Sequence, residues 1–227
     1  MKVRFKSVVT MLGVAAALAC ASTASAQSKG QLTAKFGINQ LTPKVESGDI
    51  SAPALPGTKA DVGRDTQPVL IFAYGLTDNI STELALGTPY KHRIYGAGAI
   101  AGTGELGTVQ ALPPTLFLQY RFFQPSAPFR PFVGVGATYA YFMKERGSFK
   151  MTAVTNPGSN VPTTFSIDNK FTYTLQAGVA MNFNERWFGD VTVNKARLRT
   201  NVSFSTGQTQ AMKLDPVSVV LAVGYKF

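Results

Sequence analysis

Few side chains in this sequence could carry acid–base or metal chemistry, and those that could are set at the spacing of strands. His92 is the only histidine. It stands between Lys91 and Arg93 with no evident nucleophile or carboxylate beside it, and reads as a solvated residue at a loop edge rather than a general base. A metal centre needs several His, Cys or carboxylate ligands at ligand spacing, and the pattern offers none, so neither metal nor cofactor is expected. Cys20 is the only cysteine and falls in an N-terminal leader, which removes disulfide and thiolate chemistry from the mature chain. What remains is a scattered polar set: Lys35, Glu83, Gln119, Arg121, Thr174, Gln176, Asp190, Asn194 and Lys226. Each alternates with apolar neighbours at a period of two, so each belongs to one face of a strand. The chemistry open to such a set is ion pairing, and no enzymatic activity is expected.

The elements that must hold these residues follow from the same alternation. It is clearest over the last twelve residues, Pro216 to Phe227, where Val217, Val219, Leu221, Val223, Tyr225 and Phe227 form an unbroken apolar row. Comparable strands are predicted over 32–39, 70–76, 80–86, 116–122, 133–141, 171–183 and from Trp187 onward. Residues 43–65 and 90–108, and the stretch after Tyr141 to about Thr164, are rich in Pro, Gly and polar residues and read as long loops. A shorter loop is expected near 205–210. Eight strands joined alternately by short turns and long loops describe an all-β, eight-stranded antiparallel transmembrane β-barrel.

Composition agrees. The chain holds 21 Gly, 16 Phe and 8 Tyr, while charged residues make up only 15%. A formal charge of +10 raises the question of nucleic acid, but Lys2, Arg4 and Lys6 sit in the leader. No run of Lys or Arg exceeds two residues, so no nucleic-acid partner is expected. Residues 1–26 read as a secretory signal peptide: a basic start, an apolar stretch and an Ala24-Ser25-Ala26 cleavage site, leaving 27–227 as the barrel domain. A soluble barrel would hide its larger apolar side chains inside. Here the uniformly apolar row also carries the Tyr, Phe and Trp, while Lys, Glu, Asp and Arg fill the opposite row. Charges at mid-depth on a lipid face cost roughly 2–4 kcal/mol each, so the polar row belongs in a lumen and lipids surround the other. The outward row of the seventh strand continues through Lys195, Arg197 and Arg199, which requires that strand to run beyond the membrane.

Four segments, NISTELALGTPYKHRI (79–94), ALPPTLFLQYRF (111–122), FRPFVGVGATYAYF (129–142) and LDPVSVVLAVGYKF (214–227), resemble the OmpW family of outer-membrane proteins, in family order across the mature chain. The resemblance implies a bacterial outer-membrane barrel with both termini in the periplasm and a narrow lumen for passage of small hydrophobic molecules. A terminal Phe such as Phe227 resembles the signal read by the barrel-assembly machinery. On that footing Val69, Ile71, Ala73, Ala85, Phe117, Phe132 and Asn194 are candidates to line the lumen. Lys35, Glu83, Arg121, Asp190 and Lys226 are expected to pair into a charged floor toward the periplasm. That floor would block straight passage, and Pro113 and Pro114, which remove two ladder donors, mark a candidate lateral exit. Relatives constrict the lumen with bulky apolar residues where this chain aligns Ala85 and Asn194, which implies a wider or more hydrated passage. The alternative is a non-transporting structural or recognition barrel with an ion-paired, sealed lumen.

Overall fold

The computed structural model describes residues 28–227; the signal peptide expected over 1–26 lies outside them. Alternating apolar residues commit most of the described residues to strands. In chain order these begin with β1 (Leu32–Thr42), β2 (Glu46–Ser47), β3 (Thr58–Val62), β4 (Asp65–Gly75) and β5 (Ile80–Gly87). Next come β6 (Tyr90–Gly98), β7 (Glu105–Leu112), β8 (Thr115–Arg121) and β9 (Phe129–Gly147), then the short helix α1 (Phe149–Thr155). The chain finishes with β10 (Phe165–Ile167), β11 (Lys170–Asn182), β12 (Trp187–Ala196), β13 (Arg199–Phe204), β14 (Thr209–Lys213) and β15 (Val217–Lys226).

Eight of these close an antiparallel barrel in the order β11–β12–β15–β1–β4–β5–β8–β9, with β9 returning to β11. They are the eight strands expected from the alternation. The terminal strands complete the wall, with Thr33 opposite Lys226 and Thr42 opposite Val217. Phe36, Ile38, Leu70, Phe72, Leu116, Leu118, Val135, Leu175 and Leu221 all face outward and exposed. Their inward neighbours on the same strands, such as Lys35, Ile71, Phe117 and Gln176, are buried. Two groups of aromatics bound this apolar belt. Trp187, Tyr225 and Phe227 stack edge to face at 5.0 and 5.1 Å near the short turns, and Tyr139 packs on Phe171 at 4.6 Å towards the other end. Rings at both rims of an apolar band are what a bilayer selects for.

The loop expected over 90–108 is corrected by the structure, because β6 and the start of β7 fill most of it, while 43–65 keeps a loop over 48–57 between the short β2 and β3. The β4–β5 ladder, where Val69 faces Gly87, continues in the same register into β3–β6, where Val62 faces Ile94. The β12–β15 ladder likewise runs on into β13–β14, from Lys195 opposite Val217 to Arg199 opposite Lys213. The wall is thus a set of long strands interrupted near one level, at Pro43, Gly63, Pro89, Pro113–Pro114 and Pro216. A proline has no N–H for the ladder, so pairing lapses there and resumes beyond. Lys195, Arg197 and Arg199 are exposed and follow Val193 on the row that leaves the belt, as the charge pattern requires. Past the interruptions the wall divides. One sheet joins β3, β6, β7 and the upper half of β9; the other is β10–β13–β14–β2. Between them pack Ile94, Leu106, Val109, Phe142, Met151, Phe165, Val202, Phe204 and Met212.

Three inward rings press against glycines of a neighbouring strand. A Cβ at Gly136 would fall 2.5 Å from Phe117 Cδ1, and one at Gly178 would fall 2.5 Å from Phe132 Cζ. A Cβ at Gly224 would collide with the Phe188 ring. A narrow barrel can hold these rings only where the facing position lacks a side chain. Gly178→Val is therefore expected to cost about 1–3 kcal/mol by overpacking. It should appear as a lower urea midpoint for unfolding from lipid vesicles, with the outward Ala177→Val close to the parent.

Candidate functional site

Apart from Pro113 and Pro114, which stand in a break of the wall, the functional candidates project from the inward row, so the site is the lumen itself. Its lower part, towards the short turns, is filled by a polar network. Lys35 Nζ lies 2.6 Å from Glu83 Oε2 and 3.1 Å from Asp190 Oδ2, with all three side chains almost fully buried. One cation therefore ties β1 to β5 and β12 across the barrel. Gln176 Nε2 donates to Glu83 Oε1 at 3.2 Å, and Gln119 Nε2 donates to Gln176 Oε1 at 2.6 Å. Arg121 donates to Gln119 Oε1 at 2.7 Å and to Ser81 Oγ at 3.1 Å. Phe132 fills the centre, 5.0 Å from the Arg121 guanidinium and 5.9 Å from Lys35 Nζ. Of the five residues expected to form a charged floor, Lys35, Glu83 and Asp190 make direct ion pairs and Arg121 joins them through Gln119. Lys226 is buried on the same row but bonds Asn182 Oδ1 at 2.8 Å over the Phe188 ring, outside the Lys35–Glu83–Asp190 cluster.

Arg130 belongs to this end of the lumen although the sequence pattern did not single it out. It is fully buried and donates to the carbonyls of Asp78 at 2.6 Å and Phe123 at 3.3 Å, which plugs the barrel mouth against two turns. Its parity with Phe132 on β9 was the available signal. Two lumen candidates also sit lower than expected. Phe132 is part of the floor, and Ala73, opposite Glu83 in the ladder, borders a small pocket with Thr33, Ser81 and Arg121.

Above the floor the lumen turns apolar. Val69, Ile71, Ala85, Phe117 and Asn194 line a cavity of about 110 Å3 that rests on Glu83 and Gln176. Asn194 Nδ2 donates to Ser218 Oγ at 3.2 Å, so this polar side chain is tied to the wall. A second cavity of about 70 Å3 follows between the two upper sheets, lined by Ile94, Leu106, Val109, Met151, Phe204 and Met212 among others. Leu41, Ala111, Phe142, Leu198 and Pro216 border both cavities and form the neck between them.

The wall is interrupted beside the lower cavity. The β5–β8 ladder stops at Ala85 opposite Thr115, and pairing restarts only at Tyr90 opposite Ala111. Leu86, Gly87, Leu112 and Pro113 border the cavity there, and Leu86 is an outward residue, 39% exposed. Pro114 O accepts from Tyr139 N at 3.1 Å, which anchors the break to β9.

His92 is not a solvated loop residue. It lies within β6, is buried, and lines the upper cavity, while Lys91 and Arg93 point outward. Its Nδ1 lies 2.7 Å from Gly63 O, and its ring stacks near Tyr90 at 6.1 Å. Burial, the largest influence, holds its pKa below the ordinary histidine value despite the Gly63 contact and the Asp65 carboxylate. Among the described residues no group of three His, Cys, Asp or Glu could hold a metal ion.

Comparison with known proteins places this architecture. Residues 28–227 match the model of the OmpW family. Outer membrane protein W of Vibrio cholerae serotype O1 is 31% identical over 228 residues, covering 98% of this chain and 100% of that protein. A Pseudomonas aeruginosa protein named dibenzothiophene metabolism operon protein PahQ is 26% identical over 76% of this chain and 77% of its own. The crystal structure of the outer membrane protein OprG from Pseudomonas aeruginosa matches with a TM-score of 0.78 and 26% identity, covering 88% of this chain and 97% of that one.

Removing one partner from a buried ion cluster leaves its counter-charges unpaired, at a cost of about 3–5 kcal/mol. Lys35→Met should show that loss in urea unfolding, and adding Glu83→Gln with Asp190→Asn should recover most of it. His92 gives a separate pH signature. A group held neutral in the fold but protonated in the unfolded chain costs stability as pH falls below the unfolded pKa of about 6.5. The urea midpoint should drop between pH 7.5 and pH 5.5, values chosen about one unit either side of it. That drop should be smaller in His92→Phe.

Proposed function

The chain belongs to the OmpW family of bacterial outer-membrane β-barrels, and from that premise and its lumen we propose that it passes small, mainly hydrophobic molecules across the outer membrane without chemical change. The observation that carries the reading is the pair of apolar cavities joined by a neck above an ion-paired floor. A hydrophobe gains from leaving water for such a lining, roughly 25 cal/mol per Å2 of apolar surface. It gains nothing from entering the floor, where it would separate buried charges from their partners. The route therefore enters at the tall end, descends through the neck, and leaves sideways where the β5–β8 ladder lapses beside Pro113 and Pro114. A lateral exit delivers an apolar solute into lipid, its favoured phase. In this reading the tall end faces the medium, both termini face the periplasm, and Phe227 is the residue the assembly machinery reads. The operon named in the PahQ description, for metabolism of dibenzothiophene, concerns a hydrophobe of the expected class.

Uptake of a labelled small hydrophobe tests this, with a polar solute of similar size as control, in cells lacking the protein and in cells expressing it at matched levels. Saturable, several-fold acceleration of the hydrophobe alone is expected. Ala85→Leu or Asn194→Leu should slow it by narrowing the lower cavity, and Pro113→Ala with Pro114→Ala should slow it by restoring ladder donors at the exit. Equal acceleration of both solutes would identify a hydrated general pore, and no acceleration of either would identify a sealed barrel acting through its surface.

A further inference from the structure

The upper cavity is apolar except at four side chains, and three of those donate a hydrogen bond within the protein. Thr155 Oγ1 donates to Met151 O at 2.8 Å, Thr200 Oγ1 to Asp168 O at 2.7 Å, and Gln210 Nε2 to Gly48 O at 3.0 Å. The fourth is His92. Its Nδ1 contacts a carbonyl oxygen, Gly63 O, and a carbonyl can only accept, so the proton sits on Nδ1 and the lone pair on Nε2. Among the described residues no hydrogen bond to His92 Nε2 is formed. The cavity thus holds apolar walls and, at His92, which is 4% exposed, an imidazole acceptor with no hydrogen bond within the protein.

We propose that His92 is a specificity-determining residue of the upper cavity, accepting a hydrogen bond at Nε2 from the hydroxyl of a slender apolar alcohol or phenol. The inference rests on the hydrophobe-path reading above and names a ligand class within it. A hydrocarbon entering this cavity leaves the Nε2 acceptor unpaired, which is unfavourable in an apolar setting. An ether or ketone brings only acceptors and cannot pair with Nε2. An alcohol or phenol places its apolar body against Ile94, Leu106 and Phe204 and its O–H on Nε2. Discrimination of this kind comes from the buried polar group that the wrong ligand fails to pair.

Because His92 is the only histidine, isotope-labelled histidine reports one ring without ambiguity. The untagged mature chain in lipid nanodiscs is titrated with n-octanol and, separately, with n-octane. Occupancy is read from contacts between ligand protons and the methyls of Met151 and Met212, which line the cavity. The expected result is that both ligands reach the methyls while only n-octanol moves the Nε2 resonance. His92→Phe, which keeps an aromatic ring but no acceptor, should weaken n-octanol binding about fivefold to tenfold and tighten n-octane binding, since no acceptor is then left unpaired. If both ligands reach the methyls and neither moves Nε2, or His92→Phe binds n-octanol as the parent does, the inference is overturned and the hydrophobe path stands. If neither ligand reaches the methyls, both are overturned.

Discussion

An eight-stranded wall encloses too little space for water to solvate charges inside it, so any charge on the inward row must find its partner across the barrel. Lys35 meets that requirement for the lower lumen. Its single ammonium reaches carboxylates on β5 and β12, and the amides of Gln119 and Gln176 carry the network on to β8 and β11. Four cross-barrel contacts therefore fix the relative heights of five strands. The apolar cavities above exist because this layer is dense enough to support them, and the glycines beneath Phe117 and Phe132 let the rings complete it without bending the wall.

The proline level is the second organising feature. Below it, the outward row meets hydrocarbon and every backbone donor must be paired within the wall. Above it the outward row carries Lys91, Arg93, Lys195, Arg197 and Arg199, and pairing is free to lapse and resume. The same interruptions let one barrel become two facing sheets, which is how a wall of fixed strand number comes to enclose a second, drier compartment. The one place where the lapse adjoins the lower cavity lies between β5 and β8, so the exit proposed there is a local consequence of a change that affects the whole rim.

The barrel was legible in the sequence because a period of two survives every local irregularity: Phe36 and Ile38 could not share a face with Lys35 in any strand. Height was not legible. One strand's pattern says which side a residue faces, but the level it reaches depends on the stagger between strands, and this is why Lys226, Ala73 and Phe132 settle away from the positions their strand ends implied. Composition misled over 90–108, where the glycines lie within and between paired strands, and in part over 43–65, where β2 and β3 flank a true loop at 48–57. At His92 the flanking Lys91 and Arg93 argued for solvent, while the alternation of Tyr90, His92 and Ile94 pointed inward. The periodic signal carried the structure, and the charges of the neighbours described only the other face.

The pairing of β1 with β15 carries a consequence for how the molecule comes into being. The first and last strands share ten ladder pairs, from Thr33 with Lys226 to Thr42 with Val217. Until the last residues have been made and delivered, β1 and β12 are both bare edges, and bare edges are not tolerated in hydrocarbon. No partial wall can therefore stand in hydrocarbon with both edges uncovered: until β15 is in place, another surface has to cover β1 and β12, or insertion and closure have to coincide.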